Sequence, residues 1–185
     1  MKQIKLIGTA VIISLLIASC GKGENGEWEG PDIVEGNFES AELGSVQSGG
    51  NTYENVLWGK GRVDQSIDPP AFDGILYAEK ELEFGSFFQI NTTWETWGGF
   101  SFSSGVNKEE YTGGIYDLST QFDVFASKAT KFAVGYDSKW DYSTATYDSP
   151  QIRFETPKTV MSADIANTNK NYYYYKTQED ISGYY

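Results

Sequence analysis

Apolar and polar residues alternate along this chain in short runs separated by turn-forming clusters, and no strong helix pattern interrupts them. Ile152 and Phe154 alternate with Gln151 and Arg153, and Phe132 and Val134 with Ala133 and Gly135. Phe100 and Phe102 alternate with Ser101 and Ser103, which is strand spacing with one apolar and one polar face. The pattern predicts strands over Ile33–Ser40, Tyr53–Gly59, Ile75–Leu82, Phe84–Asn91, Gly99–Ser104, Gln121–Ala126, Lys131–Tyr136, Gln151–Glu155, Thr159–Ala166 and Asn171–Thr177. Pro150 and Pro157 bracket one of these, since proline ends a strand but cannot pair in its middle. Asp68-Pro69-Pro70 reads as a loop. Many short strands between Gly-, Ser- and Asn-containing turns point to an antiparallel sandwich or barrel.

The stretch Thr93–Gly105 concentrates the chain's candidate chemistry. Trp94 and Trp97 flank Glu95, and Gly98 and Gly99 follow, so large flat rings stand beside backbone that another group can approach closely. Two readings stay open here: a ligand-gripping surface, or tryptophans that belong to the core. Tyr172–Tyr175 poses the same choice, because successive strand residues point to opposite faces. Packing within the sheet is the favoured reading there. Asn91-Thr92-Thr93 matches a glycosylation sequon, a reading set aside because it requires a eukaryotic secretory host.

The N-terminus changes the picture from a plain globular domain to an exported one. Lys2 and Lys5 precede an apolar run, Leu6–Ala18, broken only by Gly8, Thr9 and Ser14. This is the length of a signal-peptide core and short of the ~20 residues that span a bilayer. The run ends in Ile17-Ala18-Ser19-Cys20, which resembles a bacterial lipobox and implies lipidation at Cys20. Residues 1–20 are therefore expected to be a lipoprotein signal peptide outside the fold. Residues 21–31, rich in Gly and Glu, are expected to be a flexible tether, and residues 32–185 the ligand-binding domain. Glu24, Glu27 and Glu29 resemble the acidic export signal of Bacteroidetes-type lipoproteins, which implies an outer-membrane anchor and display on the cell surface. Cys20 is the chain's single cysteine, so the remaining domain has no disulfide and depends on its core.

Charge and composition narrow the function. Loss of Lys2 and Lys5 with the leader leaves 12 basic against 26 acidic residues, a balance of −14 that repels phosphate backbones and argues against nucleic acid as a partner. No basic amphipathic stretch suggests membrane contact beyond the lipid. The chain has no histidine, which removes Ser-His-Asp and Cys-His catalysis and histidine-containing zinc and copper sites. Carboxylate chemistry and oxygen-ligand calcium sites survive.

Several motifs occur in one order: Phe38-Glu39, Trp97–Ser103, Lys131–Tyr136, Ile152–Val160, and Ala163–Thr168 followed by the tyrosines. In this order they resemble the DUF4465 family, whose best-understood members are BtuH-type surface lipoproteins that bind cobalamin for outer-membrane uptake. The resemblance implies an all-β antiparallel sandwich of jelly-roll type that binds rather than catalyses. Cobalamin would be a ligand rather than a cofactor, and a TonB-dependent outer-membrane transporter the partner. Members of the family continue beyond the tyrosine-rich strand, so this chain is expected to be truncated at the C-terminus.

A corrinoid site needs aromatic faces for the ring and polar groups for its amides. Without histidine, cobalt cannot receive an imidazole from this domain, so contact and hydrogen bonds must suffice. The candidate contacts are Trp94 and Trp97 at a strand entry, Tyr111 in the loop Glu109–Gly114, and Trp140 and Tyr142 in the loop Asp137–Pro150. The same features suit a glycan-binding module that stacks sugars on tryptophan. A glycoside hydrolase drawing on Glu95, Glu109, Glu110, Asp137 or Asp141 is the less favoured reading. A structural calcium ion in the Asp137–Asp148 loop is compatible with all three, although Asp137, Asp141 and Asp148 lack EF-hand spacing.

Overall fold

The computed structural model describes residues 15–19, 32–105, 130–138, 144–166 and 168. Within them lie strands β1 (Leu15–Ser19), β2 (Asp32–Gly36), β3 (Gly44–Ser48), β4 (Asn51–Leu57), β5 (Ala71–Glu79), β6 (Leu82–Ile90), β7 (Glu95–Ser103), β8 (Phe132–Tyr136), β9 (Ile152–Phe154) and β10 (Thr159–Ala163). A 3-10 turn, Gly59–Arg62, follows β4. Every strand pairing among the described residues is antiparallel. The all-β class expected from the alternation is the class that forms. The predicted strands Gln121–Ala126 and Asn171–Thr177 lie outside the described residues.

Strands β3 to β9 form one sheet, and its centre is shared rather than simply stacked. The start of β7 pairs with β6, from Ile90↔Glu95 to Ser86↔Gly99. Its end pairs with β4 through Val56↔Ser103 and Leu57↔Phe102, while β8 runs along the other edge. β6 is divided in the same way, with β5 on one edge and β9 then β7 on the other. The segment Thr146–Gln151 covers the gap between these partners, and three glycines make room for it. A Cβ at Gly85 would lie inside the Tyr147 ring, and one at Gly98 would collide with the Asp148 carbonyl. Gly99 has φ 77° and backbone oxygens of Gly85 and Tyr147 at 2.6 Å from where its Cβ would be. The bare backbone at Gly98-Gly99 thus receives the chain's own Tyr147-Asp148 segment, not a ligand.

Aromatic packing fills both faces. Phe38, Tyr77, Leu82, Phe84, Phe100 and Phe102 form one cluster, which Val34 of β2 joins. Tyr53, Val56, Trp58, Phe88, Trp97, Phe132 and Val134 form the second. The serine face expected of Phe100–Ser103 is therefore not a solvent face: Ser101 and Ser103 are as buried as Phe100 and Phe102. Small side chains there let the second cluster close over β7. Burial of each Phe-sized side chain is worth ~1.5–3 kcal/mol, so β7 draws stability from both sides.

Phe38-Glu39 closes the first cluster. Phe38 is buried at φ 62°, an uncommon conformation for a bulky residue, and its N–H donates to Glu79 Oε2 at 3.0 Å. Glu39 accepts hydrogen bonds from the Thr130 backbone and hydroxyl and from the Lys131 backbone. Lys131 Nζ donates back to the carbonyls of Glu39 and Ala41. The motif fastens the entry of β8 to the turn after β2.

β10, β1 and β2 form a separate three-stranded sheet with β1 in the middle. Leu15–Ser19 pairs with β2 from Leu15↔Gly36 to Ser19↔Asp32, and with β10 on its other edge. The sequence reading expects those five residues to belong to a leader; in the structure they form the middle strand of this sheet, and LLIAS is an uncharged segment compatible with an extended backbone. Cys20 and the tether of residues 21–31 lie outside the described residues.

Candidate functional site

A cleft of about 350 Å³ opens beside the β6–β7 hairpin loop. Its floor is aromatic. Trp58, Phe88 and Trp97 line it, with the Trp58 ring 5.0 Å from Phe88 and 5.6 Å from Trp97, both near-perpendicular. Tyr53 supports Trp58 edge-on at 5.3 Å, and Tyr136 stacks under Trp97 at 5.0 Å. Burial pushes the Tyr136 phenol up, and neighbouring Asp137 adds to this, so it stays neutral beneath the floor.

The rim is polar with one exposed ring. Asn91, Thr92, Thr93 and Trp94 connect β6 to β7 and line the cleft. Asn91 N–H donates to the Trp94 carbonyl at 2.8 Å, and Asn91 Oδ1 accepts from Thr92 N–H at 2.6 Å, which fixes the loop as a tight turn. Trp94 is 41% exposed, against 5% for Trp97 three residues later.

Glu95 ties the walls together. Its carboxylate accepts from the Ser48 hydroxyl at the β3–β4 turn and from Lys60 Nζ in the 3-10 turn. Lys60 Nζ also lies 5.1 Å from the centre of the Phe88 ring, a cation–π placement. Partial burial works to raise the Glu95 carboxyl, but the Lys60 and Ser48 hydrogen bonds and the Lys60 charge outweigh it and hold the group below its ordinary value. The β3–β4 turn has φ 57° at Gly49 and 82° at Gly50, and two left-handed residues make the tight hairpin connection that brings Ser48 to the site.

Of the five nominated ring contacts, Trp94 stands at the rim and Trp97 is a buried part of the floor. Tyr111, Trp140 and Tyr142 lie outside the described residues. Among the carboxylates considered for glycoside hydrolysis, Glu95 lines the cleft, while Glu109, Glu110 and Asp141 lie outside the described residues. Asp137 accepts from Ser149 Oγ at 2.7 Å. Asp148 is buried, and its Oδ2 has no hydrogen-bond partner among the described residues. No three His, Cys, Asp or Glu side chains among the described residues gather as a metal site.

Sequence reasoning missed Ser48, Trp58, Lys60 and Phe88. Gly49-Gly50 is a hairpin-turn signal that could have revealed β3 and with it Ser48. Lys60 carries no local signal, since only the fold brings it to Glu95. The chain matches no protein-family model, no curated protein and no solved structure with which it was compared.

Proposed function

We propose that the chain is a lipid-anchored outer-membrane protein, displayed on the cell surface, that binds a nutrient without transforming it and passes it to a TonB-dependent transporter. The ligand proposed first is a corrinoid such as cobalamin. One observation carries the binding reading: an exposed indole, Trp94, stands over an aromatic-floored cleft whose rim offers hydroxyl and amide groups. Apolar lining with a few placed polar groups is the general make-up of small-molecule sites.

Size sets the mode of binding. At about 350 Å³ the cleft is near the lower end of the ~300–1,000 Å³ usual for ligand pockets. It admits an edge of a corrinoid with its peripheral amides, not the whole macrocycle, so the ring face would rest outside against Trp94. The same dimension favours a second reading, a glycan-binding protein that seats one sugar ring against Trp94 between Asn91, Thr92 and Thr93.

Mixing the protein with cobalamin, desalting it and recording the visible spectrum separates the two. Retained corrinoid absorbance, lost on Trp94→Ala, is expected. A colourless protein that is held back on a glycan matrix would replace the first reading with the second.

A further inference from the structure

The rim of the cleft holds a polar group that the fold leaves unused. Asn91 fastens the β6–β7 turn through its side-chain oxygen, which accepts from the Thr92 N–H at 2.6 Å and from the Thr92 hydroxyl at 3.1 Å. A backbone N–H can only donate, so this contact fixes which end of the amide is oxygen. The other end, Nδ2, has no hydrogen-bond partner among the described residues. Asn91 is exposed and lines the cleft beside Thr92 and Thr93. The turn therefore holds an oriented amino donor at the rim, next to hydroxyls that can accept or donate.

A ligand group seated there must accept a hydrogen bond, suit a floor of aromatic rings and bear no negative charge. The first demand comes from Asn91, and the second from Trp58, Phe88 and Trp97. The third comes from Glu95, the charged residue among the described lining. Its counter-charge, Lys60, is already engaged with it, so an incoming carboxylate meets a like charge and no uncommitted cation. A carboxamide meets all three demands. It is planar and neutral, its carbonyl accepts, and its N–H can donate to a threonine hydroxyl. We infer that the cleft is a carboxamide subsite, in which Asn91 Nδ2 recognises the carbonyl and Glu95 rejects the corresponding acid. This inference deepens the proposed binding reading and rests on it. Two sources offer the group: the amides on the rim of a corrinoid, and the acetamido group of an N-acetylated sugar.

Calorimetry with matched probes tests it and separates the sources. Cyanocobalamin is compared with its monocarboxylic acids, each with a single side-chain amide hydrolysed. Di-N-acetylchitobiose is compared with cellobiose, which carries hydroxyls in place of the acetamido groups. In whichever set binds, the amide is expected to bind at least tenfold tighter than its counterpart, or than at least one of the acids. Asn91→Asp keeps an oxygen for the Thr92 N–H, and with it the turn, but removes the amino donor. An unchanged Tm with at least tenfold weaker binding of the amide is expected. Equal affinity within the set that binds overturns the carboxamide subsite, and so does an Asn91→Asp variant that binds the amide as wild type does. If that binding is still lost on Trp94→Ala, the broader binding reading stands. Should Asn91→Asp fail to fold, the wild-type comparison decides alone. Binding of neither set removes the subsite and the binding reading together.

Discussion

Trp94 and Trp97 are three residues apart and have opposite surroundings. Trp97 lies within the β7 ladder, opposite Phe88, with Trp58 against its edge and Tyr136 against its face. Trp94 sits one residue before the ladder begins, in the hairpin loop, and presents 41% of its surface. The difference comes from position, not residue type. A ring on a strand buried on both faces is taken up by packing, whereas a ring just outside the hydrogen-bonded register keeps much of its surface exposed. The chain's 29 aromatic residues therefore overstate its binding surface, because two clusters consume most of those described.

The largest expected effect falls on the floor. Trp97→Ala should lower unfolding free energy by ~3–5 kcal/mol, the range for deleting a buried large aromatic. Urea denaturation followed by circular dichroism measures it. A loss below ~1 kcal/mol would mean that Trp97 is not the structural ring of the pair, and the contrast with Trp94 would collapse.

Next comes the support behind the floor. Gly98→Ala places a methyl group against the Asp148 carbonyl, which is backbone and cannot swing aside. A cost at or above the ~1–3 kcal/mol typical of overpacking is expected. Gly44→Ala is the control, since nothing lies within 4 Å of its Cβ position. Equal stability of the two variants would show that the Tyr147-Asp148 segment does not rest on β7, and that the glycine pair is open to a ligand after all.

Much of the fold was legible in the sequence for a simple reason. Alternation reports local strand geometry, and β4, β5, β6, β8 and β9 lie within their expected stretches to within a few residues. Two features were not legible. Ser101 and Ser103 look like a solvent face, yet whether a second cluster covers them depends on distant strands. Likewise Gly98-Gly99 advertises bare backbone without saying what fills it, and the answer lies some fifty residues away in Tyr147-Asp148. At the site, the aromatic half was visible at Thr93–Gly105. Ser48 and Lys60 were not, because a hydroxyl and an ammonium gain meaning only when the hairpins bring them to Glu95.

Trp94→Ala sharpens the comparison from the other side. Stability should change by no more than ~0.5 kcal/mol, as for surface substitutions elsewhere. Ligand affinity should fall at least tenfold, which is ~1.4 kcal/mol. Calorimetry with cobalamin and, separately, with oligosaccharides reads the second quantity. Unchanged affinity for whichever ligand binds, in a normally folded variant, would move the site away from the cleft.

The smallest effect concerns the group between the two rings. Glu95 is held below the ordinary carboxylate value near 4.5 by Lys60 and Ser48, which outweigh the opposing effect of burial. A carboxyl depressed in the folded state binds its proton more readily when unfolded. Its contribution is therefore fully present above about pH 4.5 and is lost as pH falls through the lower folded value. Glu95→Gln should remove that contribution at neutral pH, by ~0.2–1 kcal/mol for a solvent-accessible pair. The Gln amide retains an oxygen for Ser48 but not the charge for Lys60, so the cleft wall loosens without the floor moving. Urea midpoints measured from pH 7 to pH 3 should converge for wild type and variant at the acid end. Parallel curves with a constant offset would show that Glu95 acts through shape alone, and that the rim of the cleft, like its floor, is held by packing rather than by charge.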